Sequence, residues 1–555
     1  MAARTLASKA GGPLIGPVVE HARRQVCVSG HGHRFEHVAA HDFASVAQAE
    51  LGQHLVGWLG DVGKFGQDPV HTGMAARILA SSMPVARLAV QWFAPMGAIN
   101  AEAREWQVGG PVAGQPSLVL GQFDLAKHGY VVEEFFLAGT ARSYKDADGE
   151  RAGPDAMAGY RTRLLVCRPA QASAFSGTVV VEWLNVSGGG DGAPDWMFMH
   201  RHMMRTGMAY VAVSAQKVGV EGGGRMGNAL GGMKQANPER YGSLSHPGDS
   251  FAFDIYSHAG LAVRTDARLL GGSTCRVLLS VGESQSAMFL VGYINRVDRH
   301  AQVYDAFLVH GRGARGAGRP RGGDGAASDS GGDPIRAPRV PTITVQSETD
   351  VIGMQGFRAR CSDDATARLW EIAGAAHFDS WGLMVSGQDD GTLPIEQLAE
   401  LGAATHSLLG GSAEPINSGP QQHYVLQAAL AHLERWATGG APAPHAPVLE
   451  TMTDGDQVSL TVDEHGLAKG GIRTPWVDVP TAVLSGLGAK GEGFTRLLGV
   501  TRAFDAGRLA ELYPGGLDEY LERFTASAAS ARANGFLLRD DVDEILALAR
   551  VAWPG

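Results

Sequence analysis

Three residues far apart in the chain, Ser284, Asp350 and His377, have the types and the order that nucleophilic attack on a carbonyl requires. A serine hydroxyl is a weak nucleophile at neutral pH. It needs an imidazole to take its proton, and the imidazole needs a carboxylate to hold its tautomer. Ser284 stands in Gly282-Glu283-Ser284-Gln285-Ser286, a G-x-S-x-S run. Small residues two before and two after the serine suit a sharp strand-to-helix turn, because the turn brings those positions against neighbouring backbone. So short a pattern also arises in ordinary turns, and its partners decide its meaning.

The partners sit where the chemistry wants them. VPTITVQSETDVIG reads as a strand ending at Gln346, followed by a loop with Glu348 and Asp350; ARLWEIAGAAHFDSWG reads as a strand ending near Ala373, followed by a loop with His377. Nucleophile, acid and base thus each follow a strand, in that order. Asp350, four residues past its strand, is the expected acid, and Glu348 is the alternative. His377 is one of 20 histidines and stands apart through its place one strand later. The expected oxyanion donors are the backbone N–H of Gln285, at the start of the next helix, and one among Val186, Ser187 and Gly188 in the run Asn185–Gly192. This set would cleave a small-molecule ester through an acyl-enzyme, with no metal or organic cofactor. An acyltransferase or a peptidase would use the same residues, and a binding protein on a degenerate fold is the non-catalytic alternative.

Eight short apolar runs are predicted strands: GYVVEEFFLAG, YRTRLLVCRP, TVVVEWLNV, AYVAVSA, CRVLLSVG, AFLVHG, TITVQ and RLWEIAG. Helix-length stretches separate several of them, including 195–206, 250–268 and 286–296. The alternation predicts a mostly parallel α/β sheet flanked by helices. A further helix is expected around Tyr424, Leu426, Leu430, Leu433 and Trp436, and two more near 517–533 and 540–552. Composition divides the chain into an N-terminal extension of unknown fold (1–115), a core (116–440) with a flexible Gly-rich insertion (311–333), and an α+β appendage packed on the core (441–555).

The 555 residues include 76 Gly and 26 Pro, yet 44% are hydrophobic and only 19% charged, a balance that buries a core and excludes collagen, coiled coil and a disordered scaffold. A net charge of −10 with scattered basic residues gives no phosphate-tracking stripe, so nucleic acid is not an expected partner. The apolar stretch 78–99 is broken by Pro84, Arg87 and Pro95 and does not read as a membrane span. No secretory h-region is evident, which points to the cytoplasm, or to secretion if translation starts elsewhere. Cys27, Cys167, Cys275 and Cys361 form no CxxC pair, and one disulfide among them stays open.

Weaker signals take bland readings. His37 and His41, beside His31 and His33, have a metal-compatible spacing but lack the H-E-x-x-H glutamate. Met197, Met199, Met203, Met204 and Met208 read as core packing, as do Trp183 and Trp370. Tyr241, His246, Asp249 and Asp254 either line a substrate pocket or begin a helix.

Taken together, VVVEWLNVSGG, ERYGSLSHPGDSFAFDIY, VGESQSA, VQSETDV, LWEIAGAAHFD and GGIRTPWVDVP resemble the α/β-hydrolase superfamily, and within it a bacterial and fungal group of alpha/beta hydrolase domain proteins. The resemblance runs from about Gly121 to the C-terminus. It implies the α/β-hydrolase fold, an esterase-like serine hydrolase with Ser284, Asp350 and His377 as triad, and a carboxylic ester substrate.

Overall fold

The strand Thr178–Trp183 shows why a sheet covered on both faces forms here. All six of its residues are buried. Their side chains alternate between two apolar layers, Val179, Val181 and Trp183 in one and Val180 in the other. A run without a solvent face must be closed by helices on both sides.

The computed structural model describes residues 106–144, 157–223, 231–317, 332–403 and 414–554, apart from Val119 and Glu492. The strands of its main sheet are β1 (Gln107–Gly109), β2 (Tyr130–Arg142), β3 (Met157–Pro169), β4 (Thr178–Trp183), β5 (Ala209–Val213), β6 (Val277–Glu283), β7 (Ala306–His310), β8 (Thr342–Ser347) and β9 (Ala367–Ile372). The longer helices are α1 (Pro194–Thr206), α2 (Ala252–Thr265), α3 (Gln285–Arg296), α4 (Ile395–Gly402), α5 (Gln421–Ala437), α6 (Gly516–Ala533) and α7 (Val542–Val551).

The nine strands lie in the order β1-β2-β3-β5-β4-β6-β7-β8-β9. β1, β2, β3 and β5 pair antiparallel, and every pairing from β5 through β4 to β9 is parallel. Helices α2 and α3 cover one face with Tyr256, Ala259, Leu290 and Tyr293. The other face carries α1 and α5, with Trp196, Met199, Met203, Leu426 and Leu430. Trp183 and Trp370 are fully buried, and so are Met199, Met203 and Met208.

Two differences from the sequence expectation stand out. The sheet has a ninth strand, because Gln107–Gly109 pairs with Ala138–Phe136 of β2, inside the segment read as the extension. A three-residue strand is too short to show an alternation. The Gly-rich segment 311–333 is also not loose at its described ends. Arg312 is only 2% exposed and donates to the carbonyls of Gly313, Ala314 and Asp333, so one guanidinium staples both ends. Composition averages over a segment and misses one residue with five donors.

Residues beyond 440 continue the packing of the sheet. Ile472 bridges Ile372 in parallel next to β9, and Ile472, Leu498 and Phe536 share an apolar cluster with α5. Helices α4, α6 and α7 join Trp381 and Tyr424 in a further cluster. Cys167, Cys275 and Cys361 are free; Cys27 and the histidines at 31, 33, 37 and 41 lie outside the described residues.

Candidate active site

β6 ends at Glu283 and α3 begins at Gln285, leaving Ser284 alone in the turn with φ 57° and ψ −114°. That left-handed backbone is costly for a residue with a Cβ and lifts its hydroxyl off the sheet edge. Gly282 must be small: a Cβ there would meet the backbone of Ser286 at 3.3 Å. Ser286 ties the turn from the other side, its Oγ donating to the Glu283 carbonyl at 2.7 Å and accepting from the Glu283 N–H at 3.1 Å. As the first residue of α3, Gln285 has an N–H without an intrahelical acceptor.

The three residues singled out by order meet in one line. Ser284 Oγ lies 2.9 Å from His377 Nε2, and His377 Nδ1 lies 2.5 Å from Asp350 Oδ1. The second Asp350 oxygen accepts from the Ser347 N–H at 2.6 Å and its hydroxyl at 2.8 Å, which fixes the carboxylate. Glu348 faces elsewhere: it accepts from the N–H groups of Gly374 and Gly486 and from the Ser485 hydroxyl, at 2.6, 2.9 and 2.8 Å. Thr349, between the two acids, accepts from the His377 N–H at 3.1 Å and donates to the Gly486 carbonyl. Gly311, at φ +62°, leaves room for the ring, since a Cβ there would stand 3.2 Å from His377 Cε1.

The glycine run forms a closed loop, Asn185 and Gly192 exchanging N–H···O bonds of 3.0 and 2.8 Å. Its base is clamped by Asp191, whose Oδ2 accepts from buried Arg163 at 2.7 Å and from the Ser214 hydroxyl at 2.5 Å. Of the expected donors, the Val186 N–H points to the elbow, 3.5 Å from Gln285 Oε1. The Ser187 N–H is committed to Asn185 Oδ1 at 2.8 Å. Gly188 lies in the same turn.

The family model described as alpha/beta hydrolase domain matches residues 95–547. The chain belongs to this alpha/beta hydrolase family. No curated protein matches it in sequence. Among solved structures it is similar to a fungal esterase from Rhizomucor miehei, at 13% identity over 55% of this chain and 85% of that one, TM-score 0.24. It is also similar to a thermostable esterase from Pseudomonas putida ECU1011, at 12% over 41% and 66%, TM-score 0.23. A third is a glucuronoyl esterase from Teredinibacter turnerae T7901, at 12% over 40% and 48%, TM-score 0.20.

In this alpha/beta hydrolase the candidate centre also holds a residue that sequence reasoning passed over. Glu283, the neighbour of Ser284, is 4% exposed and places Oε1 3.1 Å from His377 Nε2. Its other oxygen accepts from Asn185 Nδ2 at 3.0 Å. The signal was present, since a carboxylate closes a buried strand, Val277–Glu283, that carries no other charged residue. Burial pushes the Glu283 carboxyl up to about 7, with His377 and His310 pulling against that rise. Burial lowers the His377 imidazole, but Asp350 and Glu283 outweigh it and lift the group to about 9. Behind them, His310 Nδ1 contacts Asp195 Oδ1 at 2.9 Å; burial holds the histidine below its usual range and the aspartic acid well above its own.

The residues of ERYGSLSHPGDSFAFDIY have structural partners. The Tyr241 hydroxyl donates to Glu134, His246 Nε2 contacts the Ala215 carbonyl, Asp249 accepts from the Lys217 N–H, and Asp254 from the Arg142 N–H. No helix among the described residues is long and apolar enough to cross a membrane.

Proposed function

We propose that the protein is a serine hydrolase that cleaves carboxylic esters of small molecules through an acyl-enzyme. The observation that carries this reading is the line Ser284 Oγ, His377 Nε2, His377 Nδ1, Asp350 Oδ1, with spacings of 2.9 and 2.5 Å at its two contacts. As the Ser284 oxygen bonds to the ester carbon, its proton passes to His377 Nε2 and the carbonyl electron pair moves onto oxygen. The N–H groups of Gln285 and Val186 are the donors assigned to that oxygen in this reading. His377 then gives its proton to the leaving alcohol as the C–O bond breaks, and water repeats the cycle to release the acid. Asp350 holds the Nδ1 proton and stabilises the imidazolium.

The test is labelling by a fluorophosphonate together with hydrolysis of nitrophenyl esters of graded acyl length. Labelling and turnover that vanish in Ser284→Ala support the reading. A wild-type protein that neither labels nor turns over any ester would overturn it.

A further inference from the structure

Glu283 sits on the face of His377 that the mechanism uses, and an ordinary triad has no need of a carboxyl there. Its Oε1 is 3.1 Å from Nε2, the nitrogen that must accept the Ser284 proton 2.9 Å away. A carboxylate that close to a bare nitrogen lone pair is repulsive, so the pair holds one proton between them. We propose, building on the hydrolase reading, that Glu283 is a positioning residue that shares the Nε2 proton of His377, holding the imidazole protonated at rest and bracketing the imidazolium with Asp350 when Ser284 reacts.

Among the described residues His377 is the one group in ion-pair contact with Glu283, and the other groups around it are these. From the loop after β4, Asn185 donates a neutral hydrogen bond to Oε2. From β7 comes His310, which burial holds below its usual range, and from α1 comes Asp195, which burial holds well above its own, the two in contact at 2.9 Å. The loops after β8 and β9 supply Asp350 and His377. From α3, Ser286 hydrogen-bonds the Glu283 backbone and not its carboxyl. Gly311, where a Cβ would stand 3.2 and 3.3 Å from His377 Cε1 and Nδ1, leaves the ring room beside Glu283.

A second carboxylate has opposed effects at rest and in the reaction. At low pH it keeps Nε2 occupied, so Ser284 lacks a base; in the reaction it lowers the energy of the charged imidazolium. Removing its charge should therefore free the base at lower pH while slowing the fully deprotonated enzyme. Loss of a purely structural contact would lower the rate without moving the pH limb.

The experiment compares the fluorophosphonate labelling rate of wild type and Glu283→Gln across pH. The expected result is a rising limb at least one pH unit lower in the variant, with a plateau about tenfold lower. A limb at the same pH in both proteins overturns the proposal. Absence of labelling at every pH instead removes the hydrolase reading, and a second measurement then decides on Glu283 alone. This is the low-field proton resonance between His377 Nδ1 and Asp350, followed in unliganded wild type, which also covers a variant that fails to fold. Titration of that signal near pH 9 supports the shared proton; titration in the ordinary imidazole range, ~6.5, overturns it.

Discussion

Arg163 and Asp191 face each other at 2.7 Å at the root of the glycine loop, with side chains 0% and 3% exposed. The pair fixes the end of the loop opposite Asn185, so the position of Val186 depends on an ion pair outside the reaction. Removing one partner of such a pair strands the other charge and costs about 3–5 kcal/mol. Arg163→Met should lower the melting temperature markedly and reduce kcat for a nitrophenyl ester more than it raises KM. Thermal denaturation and steady-state kinetics together check this, and an unchanged melting temperature would count against the clamp.

The two acids that follow β8 should separate cleanly. Asp350→Asn leaves the geometry but loses the charge and the correct tautomer, so kcat should fall about 10⁴-fold. Glu348→Gln turns an amide N–H₂ toward the N–H of Gly374 or Gly486. It should cost about 1–3 kcal/mol of stability and leave the rate of properly folded enzyme within about threefold. Denaturant melts and burst titration distinguish the two variants.

These two acids also mark what the sequence could and could not reveal. The strand ends, the elbow and the order of serine, acid and histidine were legible because apolar runs and turn residues write them into the local pattern. Whether Glu348 or Asp350 turns toward His377 depends on Gly486 and Ser485, more than a hundred residues away, and no spacing rule carries that contact. Glu283 was overlooked for a related reason: it occupies a variable position of a motif, and only the approach of the β9 loop gives it a partner. Arg312 was lost in the average composition of its segment.

Gly311→Ala should damage the reaction through geometry alone. The residue would carry a Cβ at φ +62°, 3.2 Å from His377 Cε1. The backbone strain costs about 1–2 kcal/mol, and the displaced ring should slow labelling of Ser284 by about tenfold to a hundredfold. Comparison of the labelling rate with the melting temperature shows whether the loss in rate exceeds what the loss in stability would bring.

Stability should depend on pH in a direction that these groups set. Glu283 and Asp379, each raised by burial to about 7, favour the folded state below their ordinary carboxylate range and lose that contribution as pH climbs through 7. For His377, raised to about 9, the contribution is complete below the usual imidazole range and lost as pH rises through 9. Buried His202, lowered to about 3, works in reverse, its contribution present above ~6.5 and lost as pH falls toward 3. Glu283→Gln should therefore flatten the decline in melting temperature between pH 5 and 7 relative to wild type. Parallel curves for the two proteins would be inconsistent with the raised carboxyl.

The fastening of Glu348 and Thr349 to Ser485 and Gly486 has a consequence in time as well as in space. A ribosome delivers a chain from its N-terminus, and early parts begin to fold before late ones exist. The sheet and Ser284 therefore emerge before the residues that hold the Asp350 and His377 loops in register. A chain synthesised only through β9 would carry its nucleophile without an aligned base, and reactivity would arrive only once Ser485 and Gly486 had been added.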